Sequence, residues 1–481
     1  MYINGNTKKK KFIKEVFSKL KNDKNILSAT FVGSFVDKYS LKNISDIDLI
    51  IIVKNLNKKK IKSLEKKIYQ INSNQLLGEK KKILINNTFG PLKFNSSKNL
   101  VIHLMVYDKD GHIDHVIKSP FTVHDWERSN IYLKKKISEI YKVGSLQFDD
   151  FLSARRGLFN YANDIKTKKI SFRKYKFLKK NYSTEKHFIR LLSRDKCEYY
   201  FHIVKNLILN FIKFHKKKNE LLSIEKEIKN LDKYFGRTFS VKHIKNINNI
   251  IYAKKNKNWN ISKNFDNWII NFIKDFQSII LKEIDKSKKL VFLRHGKTKM
   301  NDGTFLGQNR NPDIDRSQIK NLSKTQYNKI YASPLKRSSQ TAQIISKNKI
   351  FFDKNLLEIN YGKVEGLTIN ELNKKFPKLS YYWKNGKDPK FPSGESQGDV
   401  TRRLKIFLKK IIKDNSKKTC VVTHNVLLRC LIGIFFKIKK KFWYKIKIPH
   451  LLELEFLFYN KMIFPNINRK KIKILFSNFE K

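Results

Sequence analysis

Lys289-Leu-Val-Phe-Leu-Arg-His-Gly-Lys-Thr298 is the stretch from which the rest of the chain can be read. Its apolar run, Leu290 to Leu293, predicts a buried strand of an α/β sheet. The run stops at Arg294-His295-Gly296, which delivers an arginine and a histidine to the carboxyl end of a strand, where open α/β sheets bind their ligands. Gly296 has no side chain, so a substrate can approach the backbone there. Arg-His-Gly alone is a weak signal, and it gains meaning only from the residues further along the chain.

Downstream, in order, come Asn301 and Gly307, then Ala332-Ser-Pro-Leu-Lys-Arg337 at the start of a predicted helix. Leu357-Glu358 runs into Gly362, Pro392-Ser-Gly-Glu-Ser396 comes next, and Val421-Val-Thr-His424 forms a second apolar strand ending in a histidine. Hydrolysing a phosphomonoester without a metal calls for such a set: a nucleophile, cations around the equatorial oxygens, and an acid for the leaving oxygen. The imidazole of His295 can attack phosphorus. Arg294 and Arg337 can clamp phosphoryl oxygens in two-pronged fashion. His424, held protonated beside the dianion, adds a donor. Glu358 can protonate the leaving group and then deprotonate the incoming water.

This pattern resembles the histidine phosphatase (phosphoglycerate mutase-like) superfamily over about 190 residues. The resemblance implies an α/β/α fold over residues 287–481, His295 as nucleophile, Arg294, Arg337 and His424 as phosphate pocket, and Glu358 as acid/base. It implies Thr298 and Asn301 as substrate-binding residues, and no cofactor for this half. Arg429 is expected to pack on the helix after the second strand, and Arg402 and Arg403 to lie on the surface. Asn425 stands where the family commonly has glycine, and asparagine tolerates left-handed backbone. Only about 33 residues separate Glu358 from Pro392, and mutases tend to carry a longer insertion there, which favours a phosphatase.

At the other end, Ile26-Leu-Ser-Ala-Thr-Phe-Val-Gly33-Ser34 predicts a strand entering a glycine turn, and Asp46-Ile-Asp48 leads into Leu49–Val53. Residues two apart on a strand project from one face, so Asp46 and Asp48 point together. Paired carboxylates need a cation between them, and Mg²⁺ with a substrate phosphate is the usual answer. Gly33 and Ser34 would offer amides and a hydroxyl to those phosphates. The motif resembles the nucleotidyltransferase superfamily that includes DNA polymerase beta. That resemblance implies an α+β fold over residues 1–115, Asp46 and Asp48 as ligands of Mg²⁺, Gly33 and Ser34 as nucleotide-binding residues, and transfer of a nucleoside monophosphate from an NTP. The family also expects a third carboxylate on a later strand. On Asn99–Asp108 the corresponding position falls to His103, with Asp108 too far along.

Between the two lies a region of helical period, 116–286. Phe201, Val204, Leu207, Ile208, Phe211 and Ile212 form one stripe, and Phe265 through Ile280 another, with Ser262 or Asn264 as N-cap. Core packing explains these aromatics better than base stacking. The whole reads as an α/β multi-domain chain with a helical middle extension.

Formal net charge is +63, yet only 15 of the 104 basic residues are arginine. Abundant Lys, Asn, Ile and Phe suggest compositional drift, so nucleic acid is a possible but unfavoured partner. Three cysteines without paired spacing, no signal-peptide core and no membrane span point to a cytoplasmic enzyme. The expected partners are an NTP and a phosphorylated small molecule. Two alternatives stand beside this reading: nucleic-acid end processing, and a phosphatase carrying a degenerate nucleotide-binding module.

Overall fold

The computed structural model describes residues 5–40, 44, 46–72, 82–94, 99–153, 160–178, 182–256, 264–319, 326–345, 349–385, 387–459 and 462–479. The chain divides into two compact units: Met1–Leu146 with Asp150–Ile279, and Gln147–Asp149 with Ile280–Lys481.

The first unit is built on five strands: β1 (Ile26–Val32), β2 (Ile47–Val53), β3 (Lys82–Asn86), β4 (Asn99–Asp108) and β5 (Tyr132–Lys134). Their order is β3-β4-β2-β1-β5. β2, β3 and β4 run parallel, while β1 is antiparallel to both β2 and β5. Leu49 to Val53 are all fully buried, as a run without polar interruption requires. The helix Thr7–Leu20 is capped by the Asn6 side chain and lays Phe12, Ile13, Val16 and Leu20 into the same core. Asp108 caps the helix Lys109–Lys118 by accepting from the Gly111 amide at 2.7 Å, so it is a structural acid.

Long helices come after the sheet, Ser193–Lys216, Arg237–Asn256 and Asn264–Lys286. Phe211 and Phe276 meet edge to face at 5.7 Å, and both are fully buried, so the aromatic stripes are core. Ser262 lies outside the described residues. The helical stretch also contains an antiparallel hairpin, β6 (Lys169–Phe177) and β7 (Tyr182–Arg190). Helical periodicity does not announce it. Its apolar residues are spaced two apart at Ile170 and Phe172, then three to Tyr175, which breaks the alternation of a strand.

Among its described residues the second unit holds six strands: β8 (Lys288–Arg294), β9 (Lys329–Ala332), β10 (Ile350–Phe352), β11 (Lys418–Thr423), β12 (Glu453–Tyr459) and β13 (Met462–Pro465). The order is β10-β9-β11-β8-β12-β13. The first four are parallel, and β12 and β13 complete the sheet antiparallel. Leu290, Phe292 and Val421 face one core, and Val291, Leu293, Cys420 and Val422 the other. Two covered faces explain the continuous apolar run, each such side chain contributing about 1.5–3 kcal/mol. Cys197, Cys420 and Cys430 are buried and unpaired. No helix among the described residues is long and apolar enough to cross a membrane.

Candidate active sites

β8 and β11 are adjacent parallel strands in the second unit, with Arg294 opposite Thr423. His295 and His424, one residue beyond each, therefore emerge together, their rings 5.0 Å apart. The His295 amide donates to the Thr423 carbonyl at 3.0 Å. His295 Nδ1 lies 2.6 Å from the Gly296 carbonyl, which can only accept, so the proton sits on Nδ1 and Nε2 keeps its lone pair. Burial, then Arg337 and Arg294, push this imidazole well below its ordinary value, so it stays neutral.

His424 caps the helix Asn425–Phe435, and its Nε2 is 2.8 Å from the Ser333 hydroxyl. Burial and Arg337 push it down as well. The protonation expected of His424 therefore has to arrive with a dianion. Asn425 adopts ordinary right-handed helix, so the left-handed tolerance invoked for it is not used.

Arg294 donates through Nη1 to the Ile448 carbonyl, and Arg337 through Nη2 to the Gly307 carbonyl at 2.7 Å. Both keep a buried Nε with no partner, as does His424 at Nδ1. Glu358 is 4% exposed, and its carboxylate accepts from the Ile359 amide at 2.9 Å and the Val426 amide at 3.1 Å. Burial still raises its carboxyl above the ordinary value against those bonds and the two arginines. Thr298 and Asn301 bond each other: the Asn301 Oδ1 accepts from the Thr298 amide at 2.8 Å and its hydroxyl at 3.1 Å.

Arg403 corrects the expectation of a surface residue. It is largely buried, and it donates to the Asn355, Leu357 and Glu358 carbonyls and to both oxygens of Glu395. Glu395 in turn accepts from the Asn360 amide, so the Pro392–Ser396 and Glu358–Gly362 blocks are bound together. Gly362 is at φ +52, and a Cβ there would lie 2.0 Å from the Pro392 carbonyl. Arg402, by contrast, is exposed.

Beside Glu358 opens a cavity of about 230 Å³ lined by Phe305, Tyr361, Trp383, Phe391, Val426 and Arg429, among others. Arg429, expected on its helix, lines this cavity with Nε bonded to the Ile446 carbonyl at 2.9 Å. His450 escapes a motif-based reading, although its ring lies 5.5 Å from His295, whereas Ser333 stands inside the Ala332–Arg337 block. His450 has no sequence signal of its own, because the turn before β12 places it.

In the first unit, Asp46 immediately precedes β2 and Asp48 lies within it, and His103 is the register partner of Asp48 on β4. Ligand atoms of these three lie within 4.8 Å of one another. His103 Nε2 is 2.8 Å from the Thr88 carbonyl and Nδ1 2.9 Å from Asp48 Oδ1. Both neighbours are acceptors, so the ring meets them best as an imidazolium. Burial is the largest single influence and opposes that charge, but the bond and charge of Asp48, the Thr88 carbonyl and Asp46 together outweigh it and hold the imidazole above its ordinary value. Lys93 Nζ stands 3.7 Å from Asp46. Gly33 is at φ +70, and a Cβ there would lie 2.4 Å from Asp48 Oδ2, so the glycine turn closes directly on the Asp48 carboxylate. Ser34 is exposed at the start of the helix Ser34–Asp37, which Arg128 holds through two 3.1 Å bonds to Asp37. Two carboxylates beside an exposed turn suit a hard cation shared with substrate phosphates.

Two family models match the chain: Histidine phosphatase superfamily (branch 1) over residues 290–461, and Nucleotidyltransferase domain over residues 9–107. Phosphoserine phosphatase 1 of Hydrogenobacter thermophilus is 30% identical over 169 residues, covering 32% of this chain and 80% of that protein. Fructose-2,6-bisphosphatase of Saccharomyces cerevisiae is 29% identical over 129 residues, 26% of this chain and 28% of that protein. Among solved structures, the alpha-ribazole phosphatase of Shigella flexneri superposes with a TM-score of 0.34 at 16% identity, covering 38% of this chain and 96% of that one.

Proposed function

The chain belongs to the histidine phosphatase superfamily through residues 290–461 and carries a nucleotidyltransferase domain over residues 9–107; from that premise we propose an enzyme that releases phosphate from a small phosphomonoester through a phosphohistidine and transfers a nucleoside monophosphate to a small acceptor. The observation that carries the first half is the trio of buried, unpartnered nitrogens, Arg294 Nε, Arg337 Nε and His424 Nδ1, around His295. A buried donor without a partner costs about 1–3 kcal/mol, and a phosphoryl group would satisfy all three.

The Nε2 lone pair of His295 attacks phosphorus, the ester P–O bond breaks, and Glu358 gives its proton to the leaving oxygen. Burial suits Glu358 to that role by favouring its protonated form. Glu358 then takes a proton from water, the hydroxide attacks phosphorus, and the P–N bond breaks to restore His295. Thr298 and Asn301 line the approach, and the aromatic cavity beside Glu358 receives the leaving group.

In the transferase half, Asp46 and Asp48 would hold Mg²⁺, with Gly33 and Ser34 on the triphosphate. The cation, when bound, would neutralise and polarise the phosphates. The residues themselves orient the nucleotide: the Gly33 turn is packed on Asp48, and His103 fixes one oxygen of that carboxylate.

The test is a screen of phosphorylated metabolites and an aryl phosphate for phosphate release in the presence of chelator, repeated with each NTP and Mg²⁺. His295→Ala should abolish phosphate release, and Asp46→Ala and Asp48→Ala should abolish NTP-dependent pyrophosphate release. Full activity in either arm removes the corresponding half of the proposal.

A further inference from the structure

We infer that His450 is a third imidazole of the phosphate pocket, binding a phosphoryl oxygen through Nε2. The inference rests on the phosphatase activity proposed for His295. It comes from two features of the segment between the helical turn Lys440–Lys445 and β12.

The first is a buried nitrogen without a use. His450 Nε2 makes no hydrogen bond, and its ring stands 5.5 Å from His295, nearly as close as the 5.0 Å of His424. It joins Arg294 Nε, Arg337 Nε and His424 Nδ1 among the unpartnered buried nitrogens of this site. A ring filling space only would have no reason to bury a nitrogen without a partner beside a cluster of cations.

The second is the backbone that presents it. Leu451 sits at φ +59, a left-handed conformation that costs a branched residue about 1–3 kcal/mol and persists only where its surroundings impose it. The imposing contact is Arg294: the Leu451 amide donates to the Arg294 carbonyl at 3.1 Å, and the Arg294 amide donates to the Leu452 carbonyl at 3.3 Å. The Arg294 guanidinium donates to Ile448 on the same segment. One turn therefore aims both Arg294 and His450.

The chemistry differs from that of His424 and the arginines. Burial, with Arg294 and Lys297 nearby, pushes His450 down to about 3, so the ring is neutral. In its Nε2–H tautomer it supplies one directed donor to a phosphoryl oxygen without adding a further positive charge beside Arg294.

The experiment is calorimetric titration of the full chain with orthovanadate, comparing wild type, His450→Leu and His450→Asn, with melting curves for each. Leucine removes the donor, and asparagine keeps an N–H. The expected result is binding weakened about ten- to a hundredfold in His450→Leu, the range of a hydrogen bond to a charged group. His450→Asn should stay within about fivefold of wild type, and melting temperatures should be unchanged. Wild-type affinity in His450→Leu, or equal weakening in both variants, overturns the inference and leaves the phosphatase activity intact. Failure of the wild type itself to bind orthovanadate overturns the phosphatase activity and the inference together.

Discussion

His103 on β4 faces Asp48 on β2 in direct register, Nδ1 to Oδ1 at 2.9 Å, where the nucleotidyltransferase pattern calls for a third acid. An imidazolium there neutralises Asp48 instead of adding charge for a cation. The site therefore has less pull on a divalent ion than three carboxylates would have.

Replacing His103 by aspartate should reverse that balance. His103→Asp is expected to tighten Mn²⁺ binding, read by electron paramagnetic resonance, by about tenfold or more, since it exchanges a positive neighbour for a negative ligand. Unchanged affinity would mean that β4 does not reach the ion.

Gly33→Ala tests the closeness of the glycine turn. The new Cβ would meet Asp48 Oδ2 at 2.4 Å with the backbone at φ +70. The strain costs about 1–2 kcal/mol. We expect a lower melting temperature of the first unit and a loss of nucleotidyl transfer, with phosphate release unaffected.

The pH dependence of phosphate release should carry the signature of Glu358. Its carboxyl is raised by burial, and it must be protonated to release the leaving group. kcat/KM therefore falls as pH rises through that raised value, while the depressed His295 remains a competent nucleophile on the acid side. Glu358→Gln should lower the plateau by about 10²–10⁴ and remove that fall. Ionisation of the substrate itself is common to both enzymes and cancels in the comparison.

Arg403→Lys should be far from conservative. A lysine cannot reproduce the planar fork that reaches three carbonyls and Glu395 at once. We expect a destabilisation of about 2 kcal/mol or more and a fall in kcat from a loosened Glu358. Chemical denaturation alongside turnover checks both.

Much of the fold is legible in the sequence because strands in a parallel sheet announce themselves as unbroken apolar runs. Leu290–Leu293 and Val421–Val422 locate two strands, and the residues terminating them locate the site. Arg403 and His450 are not legible, because their roles depend on which carbonyls and rings a distant segment brings near. An arginine on a lysine-rich helix looks like surface until its five acceptor oxygens are seen. The hairpin β6–β7 is hidden for a different reason: its alternation breaks between Phe172 and Tyr175.

The most direct measurement is rapid acid-free quenching of the enzyme during turnover of a labelled phosphomonoester in chelator, with peptide mapping of the quenched protein. Acid-labile phosphate is expected on His295, absent from His295→Ala and accumulating in Glu358→Gln with a good leaving group. Label on another residue, or phosphate release that persists in His295→Ala, would contradict it.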